Sequence, residues 1–316
     1  MPDPEGRVTL WGIEVYLAAA EEGAISAAAR RLGVSPSAVS QQLSGLEAAL
    51  GAQLLDRSAR PMRMTPAGTM FRRHAQIMLN AATEAKAELG MAGHAGLTTL
   101  RLGMIEDFDG DVTPRLLSLL ANDLTNCRFL LETGASHRLL DQLDARALDI
   151  VVAADFGAEL AADADWREMH PLMVEPFVAV TPHRGRTADL PLIQYTARHL
   201  MGRQIAAHLS RLGLKPAHRF ELDSYTAILA MVAAGEGWTI LTPLALHQAR
   251  AFRAHVDVQP LPFAPLERTL SLSARAGILH DMPQQIAVQL KALIGSEVIG
   301  PALASWPWLT PVLRVL

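Results

Sequence analysis

Three glycines, Gly23, Gly33 and Gly51, divide the start of the chain into three segments, and each segment carries apolar residues at helical spacing. Leu10, Ile13, Leu17 and Ala20 recur at intervals of three and four, which places them on one face of a first helix that Gly23 ends. Ser26 reads as the N-cap of a short second helix whose buried face is Ala29 and Leu32. Gly33 supplies a turn. Ser35 then caps a third helix with Pro36 in its first turn. Val39, Leu43, Leu46 and Leu50 give that helix an apolar stripe, and Gly51 stops it. Two short helices joined by a glycine turn, behind a longer packing helix, make a helix-turn-helix.

In such a motif the second short helix offers its N-terminal residues to base edges in the major groove. Here those residues are Pro36, Ser37, Ser40 and Gln41. Gln41 can pair bidentately with adenine, and the serines can bond bases or phosphates. Taken alone, a capped and solvated helix start is an equal alternative. Leu54–Met64 reads as a two-stranded wing with Arg57, Arg60 and Arg63 around Pro61, placed to reach phosphate or the minor groove. Net charge is −4 overall, but residues 1–92 carry nine basic and nine acidic side chains. Arg57, Arg60, Arg63, Arg72 and Arg73 cluster there beside one acid, Asp56, a patch able to face a phosphate backbone.

The run from Ala27 to Leu43, followed by Leu46-Glu47, Leu50-Gly51, Leu54-Leu55-Asp56-Arg57 and Met64-Thr65-Pro66-Ala67-Gly68, resembles the N-terminus of LysR-type transcriptional regulators. This chain departs from the family pattern at Ala24-Ile25, Pro36-Ser37, Leu55 and Met64. The second of these falls on the recognition helix and bears on base preference. The expected DNA-contacting set is Arg30, Ser35, Pro36, Ser37, Ser40, Gln41, Arg57, Arg60 and Arg63.

From Pro66 to about Gly90 the chain is rich in Ala, Leu and Met, with Phe71, Met78, Ala81, Ala85 and Leu89 near one face. A helix there would be ~30–35 Å long with no core of its own. The resemblance implies that its partner is the same helix of a second subunit, giving a homodimer and commonly a dimer of dimers. Packing within its own chain is the alternative. Gly90, Gly93 and Gly96 read as a hinge.

Beyond the hinge, strands and helices alternate. Leu100–Met104, Arg128–Glu132 and Asp149–Ala153 read as strands, with helices at Thr113–Leu120 and Ser136–Leu143 between them. That order implies a parallel sheet with crossover helices. Similar elements recur at Phe177–Val180, Arg203–Leu212, Phe220–Leu222, Ser224–Ala234 and Trp238–Leu241. A closing strand, Arg268–Ser273, and helix, Met282–Leu293, have the character to return to the first sheet. This half resembles the effector-binding domain of LysR-type regulators, built like a periplasmic binding protein. Its marks are Thr133-Gly134, Ala147-Leu148-Asp149-Ile150-Val151 and the run Met231 to Trp238. The fold class expected is therefore an N-terminal all-α winged helix-turn-helix plus an α/β two-subdomain periplasmic-binding-protein-like effector domain. The expected divisions are residues 1–65 for the head, 66–92 for the linker helix, 93–98 for the hinge and 99–295 for the effector domain. Within the last, subdomain I takes 99–167 and 266–295, and subdomain II takes 168–265. An apolar tail, 296–316, follows, with Trp306, Trp308, Leu309, Val312 and Leu313. It is expected to pack on its own sensor, an inter-subunit contact being the alternative.

Ligands of open α/β sheets settle beyond the carboxyl ends of the strands, so the cleft between two such subdomains is the expected effector site. The residues placed there are Ile105, Glu106, Asp107, Thr133, Ser136, Tyr195, Thr196 and Thr242. Thr113 and Ser136 have an alternative role as helix caps, and Glu106 and Asp107 as solvated or capping acids. An acid pointing inward would favour a cationic or hydrogen-bond-donating effector.

Eleven histidines occur without an HExxH, HxH or GxSxG context, and no phosphate-binding loop is present. His74, His137, His199 and His208 read as surface or interface residues. No enzyme activity, metal or cofactor is expected. The single cysteine, Cys127, excludes an internal disulfide and a multi-cysteine metal site, and reads as a small buried hydrophobe beside Phe129 and Leu130. No run approaches the ~18–20 uninterrupted apolar residues of a membrane span. The N-terminus lacks the pattern of a secretory signal, so the expected compartment is the cytoplasm, with no membrane partner. The expected partners are double-stranded operator DNA, a small-molecule effector, a second copy of the chain, and RNA polymerase if the protein activates. A transport binding protein and an architectural DNA-binding protein fit the chain less well, because neither needs both a DNA-binding head and a two-part sensor.

Overall fold

A computed structural model of the chain describes residues 7–88, 97–155 and 166–316, without the side chains of 83, 84 and 86–88. Leu89, Gly90, Gly93 and Gly96, the end of the linker helix and the expected hinge, lie outside the described residues. Two compact units are present, a head within Met1–Gly93 and a larger unit taking up most of His94–Leu316.

The head contains α1 (Leu10–Glu22), α2 (Ile25–Leu32) and α3 (Pro36–Leu50). All three helices end on the anticipated glycines, Gly23, Gly33 and Gly51, at φ of 64°, 67° and 62°. Glycine closes a helix in this left-handed conformation without steric cost. Ser35 caps α3, accepting from the Ala38 amide at 3.2 Å. Ser26 does not cap α2: the cap position is Ala24, which has no side-chain bond to offer, and Ser26 lies inside the helix. Thr9 caps α1, accepting from the Gly12 amide at 3.0 Å. Ile13, Tyr16, Leu17, Val39, Leu43 and Leu46 form the core, while Leu10, expected on the buried face, is exposed at the helix start.

The wing is a short antiparallel pair, β1 (Leu55–Asp56) and β2 (Arg63–Met64). Glu47 of α3 anchors its start, accepting from the Leu54 and Leu55 amides at 2.8 and 3.2 Å. The linker helix α4 (Pro66–Glu88) leaves the wing at Gly68, where a Cβ would sit 2.1 Å from the Leu54 carbonyl oxygen. The Tyr16 hydroxyl donates to the Gly68 carbonyl at 2.7 Å, and the Phe71 ring lies 5.5 Å from that of Tyr16. The first half of α4 therefore packs on its own head through Phe71, Ala75 and Met78, whereas Ala85 is exposed.

The larger unit is built on two sheets. Its elements run β3 (Thr99–Ile105), α5 (Val112–Asp123), β4 (Arg128–Gly134), α6 (Ser136–Asp144), β5 (Ile150–Ala154), β6 (Arg167–Pro176) and β7 (Val178–Pro182). Then come β8 (Leu192–Tyr195), α7 (Leu200–Arg211), β9 (His218–Leu222), α8 (Tyr225–Ala233), β10 (Thr239–Leu241) and α9 (Pro243–Gln248). The chain closes with β11 (Val256–Pro260), β12 (Glu267–Arg275), α10 (Met282–Ile294), α11 (Gly300–Ser305) and β13 (Arg314–Val315). The first sheet has the order β13-β6-β12-β5-β3-β4. β3, β4 and β5 are parallel, as a βαβα order requires, but β12 pairs antiparallel with β5, β6 antiparallel with β12, and β13 antiparallel with β6. The second subdomain contains an antiparallel β10-β7-β11 sheet and a parallel β8-β9 pair, linked by a bridge from Leu192 to Trp238.

Two expected boundaries move. Residues 168–176, assigned to subdomain II, form β6 in the first sheet, so the crossover falls at Phe177. The tail is also part of subdomain I: Leu309 and Leu313 are buried, and β13 pairs with Val174 and Met173. The helical segment Met282–Ser305 is long and apolar enough, by length and composition, to cross a bilayer. Its buried face, including Ile286, Leu290, Ile294 and Val298, belongs to the core of the unit, and its other positions carry Gln284, Gln285, Lys291 and Glu297. Cys127 is half-buried rather than enclosed.

Candidate nucleic-acid interface and effector cleft

The start of α3 is presented outward because the helix buries only the Val39, Leu43 and Leu46 stripe. Arg30, Ser35, Pro36, Ser37 and Gln41 are exposed, with Ser40 half-buried beside them. Ser35 and Ser37 share a hydrogen bond of 2.9 Å between their hydroxyls. On the wing, Arg57, Arg60 and Arg63 are all exposed. Arg57 is tethered, its Nη2 lying 2.6 Å from Glu47 Oε2 and its Nη1 3.3 Å from Ser44 Oγ. Ser44, absent from the expected set, thus fixes a wing arginine against the recognition helix. Arg31 is held on the first helix by Glu21 at 2.6 Å, which leaves Arg30 as the outward member of that pair. The head also buries Tyr16, whose hydroxyl pKa is pushed up to about 12 by that burial.

In the larger unit, β3 runs into a tight turn, Glu106–Phe108, that folds Asp107 inward. Asp107 is therefore not the solvated or capping acid that its place after a strand allowed; it is 4 % exposed. Facing it is Arg268 of β12, whose Nη2 lies 3.4 Å from Asp107 Oδ2. The same guanidinium donates through Nε to Glu175 Oε1 of β6 at 2.7 Å, and through Nη2 to Thr242 Oγ1 at 3.3 Å. Glu175 Oε2 in turn accepts from the Leu244 amide at the start of α9, at 3.1 Å. One guanidinium and two carboxylates thus lie in the interior where the subdomains meet. Burial pushes both carboxyl pKa values up, and Arg268 opposes that push. The Arg268 pKa is held above its ordinary value by the two acids. Among the described residues Asp107 Oδ1 is buried without a hydrogen-bond partner, while the carboxyl also has the Tyr225 hydroxyl beside it as a bonding partner.

A row of aromatic side chains continues from this cluster. Tyr225, at the start of α8, stacks on Tyr195 with ring centroids 5.2 Å apart. Tyr195 meets His199 edge-on at 5.7 Å, and His199 meets His137 at 6.2 Å. Burial raises the Tyr195 pKa to about 12, and raises that of Tyr225 well above its usual value. His137 and His199 shift downward, first through burial, then through nearby cationic side chains for the one and His137 itself for the other. Glu106 is half-buried, and its pKa rises through burial and through Asp107, Asp109 and Asp223.

Of the residues expected in the cleft, Asp107, Tyr195 and Thr242 are gathered into this constellation and Ile105 and Glu106 adjoin it. Thr242 also caps α9. Three others have different surroundings. Thr133 is exposed at the end of β4. The Ser136 hydroxyl accepts from the Ala154 amide at 3.0 Å, tying α6 to β5 instead of capping the helix. The Thr196 hydroxyl donates to Glu221 at 2.6 Å. Thr113 is not a cap either, since Asp111 occupies that position and Thr113 is buried in the first turn. Arg268, Glu175 and Tyr225 were not singled out by sequence. The signal available was a full charge inside apolar strand runs, at Met173-Val174-Glu175-Pro176 and at Arg268-Thr269-Leu270. His208 is buried and bonded to the Ala264 carbonyl, whereas His74 is exposed. Among the described residues, no group of three or more His, Cys, Asp and Glu is placed to hold a metal ion.

Comparison with known proteins agrees with both units. The family model for the LysR substrate binding domain matches residues 95–285. That for the bacterial regulatory helix-turn-helix protein, lysR family, matches residues 10–69. A probable hydrogen peroxide-inducible genes activator of Mycobacterium avium is 31 % identical over 310 residues, covering 94 % of this chain and 98 % of its own. The Escherichia coli DNA-binding transcriptional dual regulator OxyR is 27 % identical over 292 residues, covering 89 % and 94 %. Among solved structures, a full-length OxyR variant from Pseudomonas aeruginosa has the same fold, with a TM-score of 0.64 at 23 % identity over 91 % of this chain and 96 % of that one. With the head and the sensor matched in order and over nearly their whole lengths, the chain belongs to the LysR family and is a LysR-type transcriptional regulator.

Proposed function

We propose that this regulator is switched by a small molecule bound in the cleft beside Asp107, Arg268, Tyr195 and Tyr225. The observation that carries the reading is the buried Asp107 Oδ1, which has no hydrogen-bond partner among the described residues. A buried acceptor left without a partner is costly, and an effector that donates a hydrogen bond there would relieve the cost. The flanking Tyr195, Tyr225 and His199 rings supply flat surfaces for an apolar or cationic body. The acids around Glu106 favour a cationic or hydrogen-bond-donating effector. Binding that prefers one closure of the cleft shifts the population of the two subdomain arrangements, and thereby the activity of the heads.

The protein acts as a homodimer joined through α4, whose first half is occupied by its own head and whose later positions include the exposed Ala85. Dimers pair further into tetramers. Operator DNA is held through Arg30, Ser35, Pro36, Ser37, Ser40, Gln41, Arg57, Arg60 and Arg63, and an activating complex also contacts RNA polymerase. The protein works in the cytoplasm, away from membranes, and performs no catalysis, in keeping with relatives described as regulators.

Several relatives, the Mycobacterium avium protein among them, are named for hydrogen peroxide induction. A peroxide switch that closes a disulfide within one chain needs two thiols, one of them readily ionised. This sequence has one cysteine, and burial raises the Cys127 pKa. The cleft ligand is therefore the proposed signal. Thermal unfolding of the full-length protein against a panel of small amines and amides tests it. A compound that raises the midpoint in the native protein but not in Asp107→Leu supports the reading; a panel without effect defeats it.

A further inference from the structure

A cavity of about 490 Å³ opens elsewhere in the larger unit and shares no lining residue with the Asp107–Arg268 constellation. Its walls come from three places. Asp111, Pro114 and Arg115 belong to the start of α5; His247, Arg250 and Arg253 belong to the end of α9 and the segment after it; Glu297 and Pro301 belong to the C-terminal helical segment. Glu297 sits in a π-helical turn, Gly295–Ile299, between α10 and α11. Such turns recur where a helix is adapted to a function.

The charges here do not balance. Arg115 meets Glu297 at 3.1 Å and Arg250 meets Asp111 at 3.3 Å, while His247 also bonds Asp111. Arg253 has no carboxylate partner among the described residues. Its Nη2 donates to the Pro301 carbonyl at 3.2 Å, and its guanidinium lies 4.3 Å above the Trp306 ring. Burial and the charge of Arg250 both act against it, lowering its pKa. Three guanidiniums therefore share two carboxylates around a concave site of the size that small organic ligands occupy. Pro114 and Pro301 give it apolar wall as well. Arginine forks match carboxylate geometry, and a guanidinium already stacked on an indole is held in place for such a contact.

We propose that this cavity is a second ligand site, taking a small organic carboxylate whose anionic end meets Arg250 and Arg253 and whose apolar body rests on Pro114 and Pro301. The walls contributed by Glu297 and Pro301, and the Trp306 ring under Arg253, lie beyond residue 285, where the match to the family's substrate binding domain ends. Arg250 and Arg253 sit in the connection leading into β11 of the second sheet, whereas Asp111 and Pro301 flank elements of the first. A bound carboxylate would tie the two together and favour the subdomain arrangement that permits it.

Calorimetric titration of the full-length protein with cyclohexanecarboxylate, its uncharged amide and inorganic phosphate tests the site. The carboxylate is expected to bind one per chain, the amide not at all, and both Arg250→Gln and Arg253→Gln are expected to weaken binding at least about tenfold. Arg253→Gln also gives up the Pro301 and Trp306 contacts, so the exposed Arg250 supplies the variant that keeps the fold. Absence of binding up to about 10 mM carboxylate overturns the proposal. So does affinity unchanged in Arg250→Gln, or phosphate binding as well as the carboxylate with the same arginine dependence. A Tyr225→Phe variant separates this site from the cleft. Carboxylate binding that depends on Tyr225 and not on Arg250 would place the ligand in the cleft and defeat the second site alone.

Discussion

Glu175 and Arg268 are direct partners across two antiparallel strands, β6 and β12, and their side chains meet at 2.6 Å with 0 % and 4 % exposure. Two strands that carry the chain between subdomains are thereby locked by an ion pair sealed from water. Removing one member leaves the other charge buried, which costs far more than the pair contributes when intact. Arg268→Met, which strands both Glu175 and Asp107, is expected to destabilise the larger unit by ~3–5 kcal/mol in urea unfolding, and Arg268→Met combined with Glu175→Gln and Asp107→Asn by clearly less. Equal losses in the two variants would show that the pair is not coupled.

The head depends on one close approach. Gly68→Ala places a methyl group 2.1 Å from the Leu54 carbonyl, a clash with backbone that no side-chain rotation relieves. Loss of ~2–4 kcal/mol from the head is expected, with operator binding abolished and the sensor's thermal transition unchanged. Circular dichroism and a gel shift on the same preparation check both halves of that statement.

DNA affinity should divide among the wing arginines according to their freedom. Arg60→Gln and Arg63→Gln are each expected to reduce the slope of log affinity against log salt by ~1. Arg57 is already neutralised by Glu47 at 2.6 Å, so Arg57→Gln should change the slope less. Gln41→Ala is expected to cost ~1–3 kcal/mol on the native operator and nearly nothing on unrelated DNA. Fluorescence anisotropy over a salt series reads all four.

His137 and His199 set a pH dependence. Both have folded-state pKa values below 6.5, so the unfolded chain takes up protons at these positions before the folded one does. Their contribution is complete above pH 6.5 and is lost as pH falls through the lower folded values. The thermal midpoint should therefore decline on acidification from neutral pH, and the decline should flatten in the His137→Gln, His199→Gln double variant. Proton NMR titration of the two imidazoles gives the same shift directly.

The head was legible because its information is local. Gly23, Gly33, Gly51 and Ser35 act on the backbone within a few residues, and the apolar stripe of α3 needs no distant partner to be seen. The Ser26 cap failed since Ala24 can hold the extended conformation of a cap with no side-chain bond, which leaves no mark in the sequence. In the sensor, alternation of strand and helix exposed the β3–α5–β4–α6–β5 unit but could not say which sheet residues 167–176 would join. That choice is made by pairing with β12, about a hundred residues on, and strand periodicity is the same in either sheet. Of the Asp107–Arg268 constellation, strand ends named Asp107, Tyr195 and Thr242, while Arg268 and Glu175 lie within strands and Tyr225 begins a helix.

Where β13 lies along β6 it covers the Met173–Val174 stretch at one margin of the six-stranded sheet. Without those last residues the buried Met173–Val174 stretch of β6 would present unpaired backbone groups to any passing strand, the usual route to sheet-to-sheet association. The practical corollary concerns handling. Affinity tags and fluorescent fusions belong on the N-terminal side, and clipping by carboxypeptidase should show itself as turbidity before it shows as lost regulation.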